Sequence, residues 1–350
     1  MLTTQRIEEI LGALPRLTIG VLGDLFLDRY LDIDAALGEP SVETNLEAYQ
    51  VTRVRSVPGA VGTVMNNLAA LGVGRIVPVS VIGDDGEGYE LRQALAKLPM
   101  IDTRWVTASP DRRTPTYTKP MLHQQGLPAR ELNRLDIKNR TPLPGPLQDL
   151  VMEGLHAVWS QVDALIVLDQ VSESDCGVVT AHVRSALAQL GDAQPDKFVL
   201  ADSRRLINSF LSVCLKPNQD ECLAGTEFDY LPRNGNHRAS VARAADHMAS
   251  RVGRTVFCTA GADGIYVAAP DRERSDGWVA GYRVTGPIDI VGAGDSTSAG
   301  ITSAVAAGAS YEEAAAFGCL VASITIQQLG TTGTASPAQV RQRWREVGGG

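Results

Sequence analysis

The chain has 350 residues, of which 44% are hydrophobic, with a formal net charge of −8 and a sequence pI of about 5.2. The apolar content suffices for a core, and the length allows one large α/β domain or two small ones. An acidic chain is a poor non-specific binder of nucleic acid, so any phosphate site must be local and geometric. Five cysteines without a C-x-x-C pair indicate buried thiols in a reducing compartment and argue against a cysteine metal cluster.

The N-terminal segment, Met1 to Arg16, predicts an amphipathic helix and lacks the basic and apolar regions of a signal peptide. No apolar run approaches the length that a membrane span requires. We therefore expect a cytoplasmic protein that binds neither membranes nor nucleic acids.

Short apolar runs alternate with amphipathic segments along the chain. The first predicted strand is Leu17 to Leu22, and later strands cover residues 76–82, 164–168, 197–201, 255–259 and 278–284. Helices with apolar residues three and four apart lie between several of them. This alternation predicts a single α/β domain over residues 1–350, in which a mainly parallel sheet has helices on both faces and forms three layers. Residues 32–57 and 114–136 instead indicate a few exposed strands, with Lys119 pointing outward.

Carboxylates follow two of the buried strands, at the sheet edge where open α/β folds bind ligands. Asp28 comes shortly after the first strand, and Asp169 ends the strand at residues 164–168. Asp28 is suited to accept hydrogen bonds from two sugar hydroxyls, and the alternative is an aspartate that only serves a turn. Between them, Gly59 to Gly62 form a glycine turn that opens a helix ending at Gly72.

Two further turns lie in the second half of the chain. Asn218 and Glu221, after Lys216-Pro217, have the spacing of a capped helix N-terminus. Thr259, Gly261 and Gly264 form a glycine turn after a buried strand, a pattern that also suits a simple hairpin.

The most informative stretch is Asp289-Ile290-Val291-Gly292-Ala293-Gly294-Asp295, followed by a small-residue helix. A bare turn that opens a helix presents unpaired N–H groups and the positive end of the helix dipole, which together make an anion site. The natural use of Asp295 there is to take a proton from an attacking hydroxyl. The alternative is a glycine-rich turn capped by an aspartate.

Asp-x-x-Gly-Ala-Gly-Asp resembles the second signature of the ribokinase-like (PfkB) carbohydrate kinases. The block from Gly59 through Gly86 resembles their first signature, and Asn218-x-x-Glu221 resembles their Asn-x-x-Glu motif. Gly23-Asp24-x-x-x-Asp28-Arg29-Tyr30 is similar to the opening of the D-glycero-D-manno-heptose 7-phosphate kinases within that family. The resemblance covers about Leu17 to Pro337 and implies phosphoryl transfer from ATP to a sugar hydroxyl.

The resemblance also implies roles for individual residues. Asp295 would be the general base, and the amides of Gly292, Ala293 and Gly294 would stabilise the transferring phosphoryl group. Glu221 would order water around Mg²⁺. Whether a monovalent cation such as K⁺ is also a cofactor stays open. The exposed strands would form a small β lid over the sugar and pair with a second subunit in a homodimer. Contacts to the sugar or to a phosphate it already carries are implied for Asp28, Gly59, Thr63, Lys119, Arg134 and Asp169. Contacts to the nucleotide are implied for Lys216, Asn218, Thr259, Gly261 and Gly264.

The sequence departs from the family at the sugar pocket. The family's first signature has Gly-Gly-x-x-Asn, whereas this chain has Ala60 and Thr63 in place of the second glycine and the asparagine. A threonine hydroxyl has a shorter reach and fewer donors than an asparagine amide. A kinase for another sugar or a nucleoside therefore stays open, as does a non-catalytic relative. Lys119 and Arg134 also fit two surface basic residues without a ligand.

Overall fold

The structure, a computed structural model, describes residues 2–224, 237–270 and 277–348. Its helices are α1 (Thr4–Ala13), α2 (Val61–Leu71), α3 (Gly86–Leu95), α4 (Gly145–Trp159), α5 (Ala181–Ala193), α6 (Gln219–Ala224), α7 (His237–Val252), α8 (Ala293–Ala306), α9 (Tyr311–Thr325) and α10 (Pro337–Val347). Its strands are β1 (Thr18–Gly23), β2 (Leu25–Asp34), β3 (Glu39–Pro40), β4 (Glu47–Ala48), β5 (Val51–Ala60), β6 (Arg75–Gly83), β7 (Trp105–Ser109), β8 (Thr116–His123), β9 (Arg130–Glu131), β10 (Leu135–Ile137), β11 (Ala164–Asp169), β12 (Phe198–Ser203), β13 (Cys214–Leu215), β14 (Val256–Thr259), β15 (Ile265–Ala268) and β16 (Trp278–Val279).

A nine-stranded sheet forms the middle layer, in the order β16-β15-β14-β13-β12-β11-β1-β6-β7. The seven strands from β14 to β7 pair in parallel, while β15 and β16 add two antiparallel strands at one edge. Because parallel strands all end at the same edge, the loops after β1, β11, β12 and β13 come together. The predicted α/β fold with a mainly parallel sheet is confirmed.

The core lies on both faces of this sheet. Successive residues of β11 belong to different hydrophobic clusters: Ile166 packs with α1, α2, α8 and α9, whereas Val167 packs with α4, α5 and α7. Such strands need apolar residues at every position, which explains their continuous apolar runs. The helices therefore form the outer two of three layers.

A second, smaller sheet has the order β10-β8-β2-β5, with β9 paired to β8. It is larger than the predicted exposed strands, since β2 starts at Leu25 and β5 continues to Ala60. Asp28 consequently lies within a lid strand and not in a loop. We call this small sheet the lid.

Two other sequence predictions have clear outcomes. The last predicted strand, residues 278–284, is wrong beyond Val279, because the chain leaves the sheet and the Tyr282 ring packs edge-on against Trp344 of α10. All five cysteines are buried free thiols, as predicted.

In the part of the chain that the structure describes, no helix combines the length and apolar character that a membrane crossing requires.

Candidate active site

The N-terminus of α8 is a bare turn at the carboxyl edge of the main sheet. Gly292 is the N-cap residue with a left-handed φ of 79°, and no side chain caps the helix. The Ala293 N–H donates to the Ile290 carbonyl at 3.1 Å, so the prediction that this amide is free for an anion is wrong. Within residues 277–348 and the other described ranges, the N–H groups of Gly292, Gly294 and Asp295 have no hydrogen-bond acceptor. Three amides are thus left unpaired, with Asp295 taking the place of Ala293 in the predicted set.

Asp295 lies in the first turn of α8 and is only partly exposed. Burial raises the pKa of its carboxyl to about 7, and the negative charges of Asp202 and Asp28 add to this, while Lys216 and Arg204 oppose it. Asp28, the other predicted site aspartate, is thus one of the charges that raise this pKa. A carboxyl that titrates near neutrality can accept a proton from a hydroxyl.

Lys216 lies beside this turn, and its ammonium is buried. Its Nζ is 2.8 Å from Oδ2 of Asp202 and 3.6 Å from the position where Gly294 would carry a Cβ. Burial lowers the pKa of Lys216, but the carboxylates of Asp202, Asp295 and Glu221 outweigh it and leave the pKa raised. A fixed positive charge therefore stands next to the free amides.

Asp202 was missed by the sequence analysis. It occurs near the end of β12, one residue before the strand's last residue, so the signal that singled out Asp28 and Asp169 was also present here. Its partner, Lys216, follows the neighbouring parallel strand β13, and the pairing of these two strands brings the side chains together.

Asn218 and Glu221 form a reciprocal cap at the start of α6. The Asn218 N–H donates to Glu221 Oε2, the Glu221 N–H donates to Asn218 Oδ1, and both distances are 2.8 Å. The capping interpretation is confirmed. A role of Glu221 in metal binding is a separate proposal. Burial raises the pKa of Glu221, a backbone bond from Asn218 lowers it, and Asp202 raises it again.

The turn after β14 is fastened to the same place. The Thr259 N–H donates to the Pro217 carbonyl at 2.9 Å, and Asn218 and Thr259 form a parallel bridge. Gly261 and Gly264 follow with positive φ values of 57° and 98°. A Cβ on Gly264 would lie 2.1 Å from the Val279 carbonyl oxygen, whereas one on Gly261 would meet open space. Gly264 is therefore required by the fold, and Gly261 leaves an open face beside α6.

Asp28 and Gly59 are diagonal neighbours in the β2–β5 pair of the lid, where Gly59 stands opposite Phe26 and Asp28 opposite Val57. A Cβ on Gly59 would lie 3.0 Å from the carboxyl carbon of Asp28, so this glycine makes room for the carboxylate. Burial raises the pKa of Asp28, while Lys119 and Arg134 lower it. The carboxylate is thus held beside Gly59 and Lys119, and its charge acts on Asp295.

Lys119 does not point outward, and that prediction is wrong. Its Nζ lies 3.4 Å from Asp28 Oδ2 and 3.2 Å from the Tyr30 hydroxyl, and only 12% of its side chain is exposed. Arg134 makes a bidentate pair with Asp136 at 2.6 and 2.9 Å and stacks 4.0 Å from the centroid of the Tyr117 ring. Both cations already have a carboxylate partner.

Ala60 and Thr63, the two departures from the family signature, join the lid to α2. Ala60 has φ 53° and ψ −114°, a conformation that L-residues other than glycine rarely adopt. Thr63 is buried, and its methyl carbon lies 3.4 Å from where a Cβ on Gly292 would be. The start of α2 therefore contacts the anion-binding turn of α8 directly.

Asp169 belongs to a different group. Ser203 Oγ donates to its Oδ2 at 2.9 Å, and Arg184 lies 3.8 Å from the same oxygen. Burial raises its pKa to about 7, followed by the charge of Asp24. Asp169 ends β11, the strand next to the one that carries Asp202, and its partners Ser203 and Arg184 belong to β12 and α5.

No set of three or more His, Cys, Asp or Glu side chains among residues 2–224, 237–270 and 277–348 is arranged to hold a metal ion. The site instead combines unpaired amides, a buried ammonium and carboxylates at the start of α8. That combination can bind an anion at the helix terminus and remove a proton beside it.

Sequence comparison matches residues 28–339 to the model of the pfkB family carbohydrate kinases. The chain is 26% identical over 330 residues to the bifunctional protein HldE of Gluconobacter oxydans, covering 94% of this chain and 65% of that protein. It is 28% identical over 328 residues to HldE of Trichlorobacter lovleyi, covering 91% and 61%. The chain thus spans less than two thirds of the length of these relatives.

Solved structures share the fold. The Escherichia coli phosphofructokinase-2 in complex with potassium superposes with a TM-score of 0.69 at 18% identity, covering 95% of this chain and 99% of that one. An Arabidopsis thaliana ribokinase complexed with ribose and ATP gives a TM-score of 0.65 at 16% identity, covering 93% and 98%. At these identities the likeness concerns the fold.

Proposed function

Because the chain belongs to the pfkB family of carbohydrate kinases, we propose that it transfers the γ-phosphoryl group of ATP to a hydroxyl of a sugar or sugar phosphate. The observation that carries this proposal is the position of Asp295. Its carboxyl, with a pKa raised to about 7, stands in the same turn as the unpaired amides and within electrostatic reach of Asp28. A base, an anion site and an acceptor-binding carboxylate thus share one opening.

Each residue has a distinct task in this proposal. Asp28 accepts hydrogen bonds from the acceptor sugar, with Gly59 and Thr63 beside it. Asp295 removes the proton from the reacting hydroxyl. The N–H groups of Gly292, Gly294 and Asp295, together with Lys216, stabilise negative charge on the transferring group, so catalysis rests on positioning and electrostatics.

The nucleotide would lie along α6 and the turn after β14. Asn218, Thr259, Gly261 and Gly264 border this path, and the open face at Gly261 allows close approach. Mg²⁺ bound with the nucleotide would neutralise charge on its phosphates. Since no three described side chains form a metal cage, Glu221 and Asp202 would act through water, as suits an ion that keeps much of its hydration shell. A monovalent cation such as K⁺ is a further proposed cofactor, because the Escherichia coli phosphofructokinase-2 neighbour is a complex with potassium.

The acceptor we favour is D-glycero-D-manno-heptose 7-phosphate, because of the motif Asp28-Arg29-Tyr30 and the likeness to proteins named HldE. Other sugars and nucleosides are the second candidates, on account of Ala60 and Thr63. The test is ATP consumption with a panel of sugars, sugar phosphates and nucleosides, with the product's phosphorylated position determined by NMR. Nucleotide binding without turnover on any acceptor would identify a non-catalytic relative.

We also propose a homodimer that pairs through the lid. Exposed apolar side chains concentrate on and near β3, β4 and β5, and apolar surface of this kind favours association. These residues are Leu37, Val42, Leu46, Tyr49, Val51 and Val54. Light scattering should give twice the chain mass, and Leu46→Lys with Val54→Lys should give the single mass. The five free thiols support a cytoplasmic location.

A further inference from the structure

A polar recess lies beside the lid, next to the proposed acceptor site. The recess is narrow: about 20 Å³ is accessible to the centres of water-sized molecules, within about 470 Å³ of unfilled space that also counts open solvent. Phe26 and Tyr117 form its lid side, with their rings edge to face at a centroid distance of 5.1 Å. Tyr117 stands directly opposite Asp28 in the β2–β8 pair. The recess therefore adjoins the strand position of the carboxylate that would bind the acceptor.

The recess contains a buried guanidinium without a carboxylate partner. Arg112 is only 6% exposed, and it donates to the carbonyl oxygens of Thr141, at 3.0 Å, and of Cys176. Within the described ranges, no Asp or Glu oxygen lies at ion-pair distance from it. The nearby Asp24 carboxylate is already engaged by the backbone N–H groups of Gln170, Val171 and Val178. Asp24 also lines the recess and acts on Arg112 through its charge, so the guanidinium is partly balanced at a distance but has only carbonyls as hydrogen-bond acceptors among the described residues.

A second cation lines the same recess. Lys138 lies with its Nζ 5.9 Å from the centre of the Tyr117 ring, and it too lacks an acidic partner among the residues described. Glu173 lines the recess as well, and its Oε2 is buried without any hydrogen-bond donor. Two cations and two carboxylates therefore line the recess: Arg112 and Lys138 can contact an anion, the Asp24 carboxylate is engaged by backbone N–H groups, and Glu173 Oε2 can accept from a hydroxyl.

We infer that this recess binds a phosphate group carried by the acceptor, with Arg112 and Lys138 on the phosphate and Glu173 accepting from an adjacent hydroxyl. This inference rests on the proposed function and makes the acceptor a sugar phosphate. It also moves the expected phosphate contacts from Lys119 and Arg134 to a new pair. The reason is that Lys119 and Arg134 are paired with Asp28 and Asp136, whereas Arg112 and Lys138 lack such partners.

The experiment compares matched acceptors that differ only in the phosphate: D-glycero-D-manno-heptose 7-phosphate against the free heptose, and fructose 6-phosphate against fructose. We expect kcat/KM to be higher for the phosphorylated member of a pair. Lys138→Gln should lower kcat/KM for that member about 10- to 100-fold through KM, since a charge-assisted hydrogen bond is lost. KM for ATP and turnover of the free sugar should not change. Lys138→Arg should restore most of the loss, and Lys97→Gln, an exposed lysine on the surface, is the matched control.

Arg112→Lys, which keeps the charge but loses the planar fork, provides a second variant that does not depend on Lys138. Equal use of phosphorylated and free sugars by the native protein, or a Lys138→Gln variant that loses activity equally on both, would overturn the inference and leave the kinase proposal intact. If ATP is transferred to no acceptor, the kinase proposal fails by itself. In that case, calorimetry of heptose 7-phosphate binding tests the recess separately. Equal affinities of the native protein and the Lys138→Gln variant would refute the inferred phosphate contact.

Discussion

The ammonium of Lys216 lies 2.8 Å from the Asp202 carboxylate, beside the first turn of α8. This pair joins two parallel strands at the proposed site of phosphoryl transfer, and the charge of Asp202 contributes to the raised pKa of Asp295. Asp202→Asn removes that charge and frees the positive charge of Lys216. Both changes favour the ionised form of Asp295, so its pKa should fall. The acidic limb of the pH–kcat/KM profile should therefore move to lower pH, and a limb that stays in place would show that Asp202 does not tune the base.

Asp295→Asn should reduce kcat by about 10²- to 10⁴-fold or more, since it removes the general base. Nucleotide affinity should stay near the native value, because the loss of a negative charge does not weaken the binding of an anion. For the native protein, the rate should rise with pH through about 7, as the raised pKa of Asp295 requires. Single-turnover rates and nucleotide titrations measure both effects. Near-native turnover in this variant would end the assignment of Asp295 as base.

The same substitution has a pH-dependent effect on stability. The folded-state pKa of Asp295 is raised to about 7 from an ordinary value near 4, so the native fold loses stability as pH rises between these values. Asp295→Asn avoids that loss. We expect its Tm to exceed that of the native protein at pH 8 and the difference to shrink toward pH 4. Thermal unfolding at both pH values provides the measurement.

Glu221 can be tested in a way that separates its cap from any role with Mg²⁺. Glutamine at this position still accepts from the Asn218 N–H, so Glu221→Gln keeps the reciprocal cap and removes only the charge. We expect unchanged stability and a higher Mg²⁺ concentration for the half-maximal rate. Glu221→Ala, the comparison variant, should in addition lower stability by about 1 kcal/mol. Identical Mg²⁺ titrations for native protein and Glu221→Gln would reduce Glu221 to a structural residue.

Much of this architecture could be read from local patterns. Continuous apolar runs identified the buried strands, and the spacing of Asn218 and Glu221 identified a real helix cap. The direction of Lys119 could not be predicted, because it depends on Asp28 and Tyr30 of a strand 89 to 91 residues away. The pairing of Asp202 with Lys216 and the isolation of Arg112 likewise arise from strand order and long-range packing, for which a single sequence has no local signal.

Ala60 occupies a backbone conformation that favours glycine, with φ 53° and ψ −114°. A non-glycine residue held in such a region costs about 1–3 kcal/mol, which is partly offset because glycine has more freedom in the unfolded chain. Ala60→Gly should therefore raise the free energy of unfolding by about 1 kcal/mol. Urea denaturation measures this, with Ala70→Gly in helix α2 as the control that should lose about 1 kcal/mol. A destabilised Ala60→Gly variant would mean that the strain is absent in solution.

Ala60 and Thr63 also bear on which sugar is accepted. Thr63 is buried between the lid and the α8 turn, where the related signature has an asparagine with a longer reach and more donors. A site built to hydrogen-bond a hydroxyl discriminates strongly against ligands that leave its polar groups unpaired. We therefore expect native protein to use D-glycero-D-manno-heptose 7-phosphate with a modest kcat/KM, and the Ala60→Gly, Thr63→Asn double variant to use it better. Because the phosphate chemistry around Asp295 is unchanged, ATP affinity should stay constant. The measurement is kcat/KM for this heptose phosphate in both proteins. Efficient use by native protein, with no gain in the double variant, would show that these two replacements are neutral for the sugar pocket.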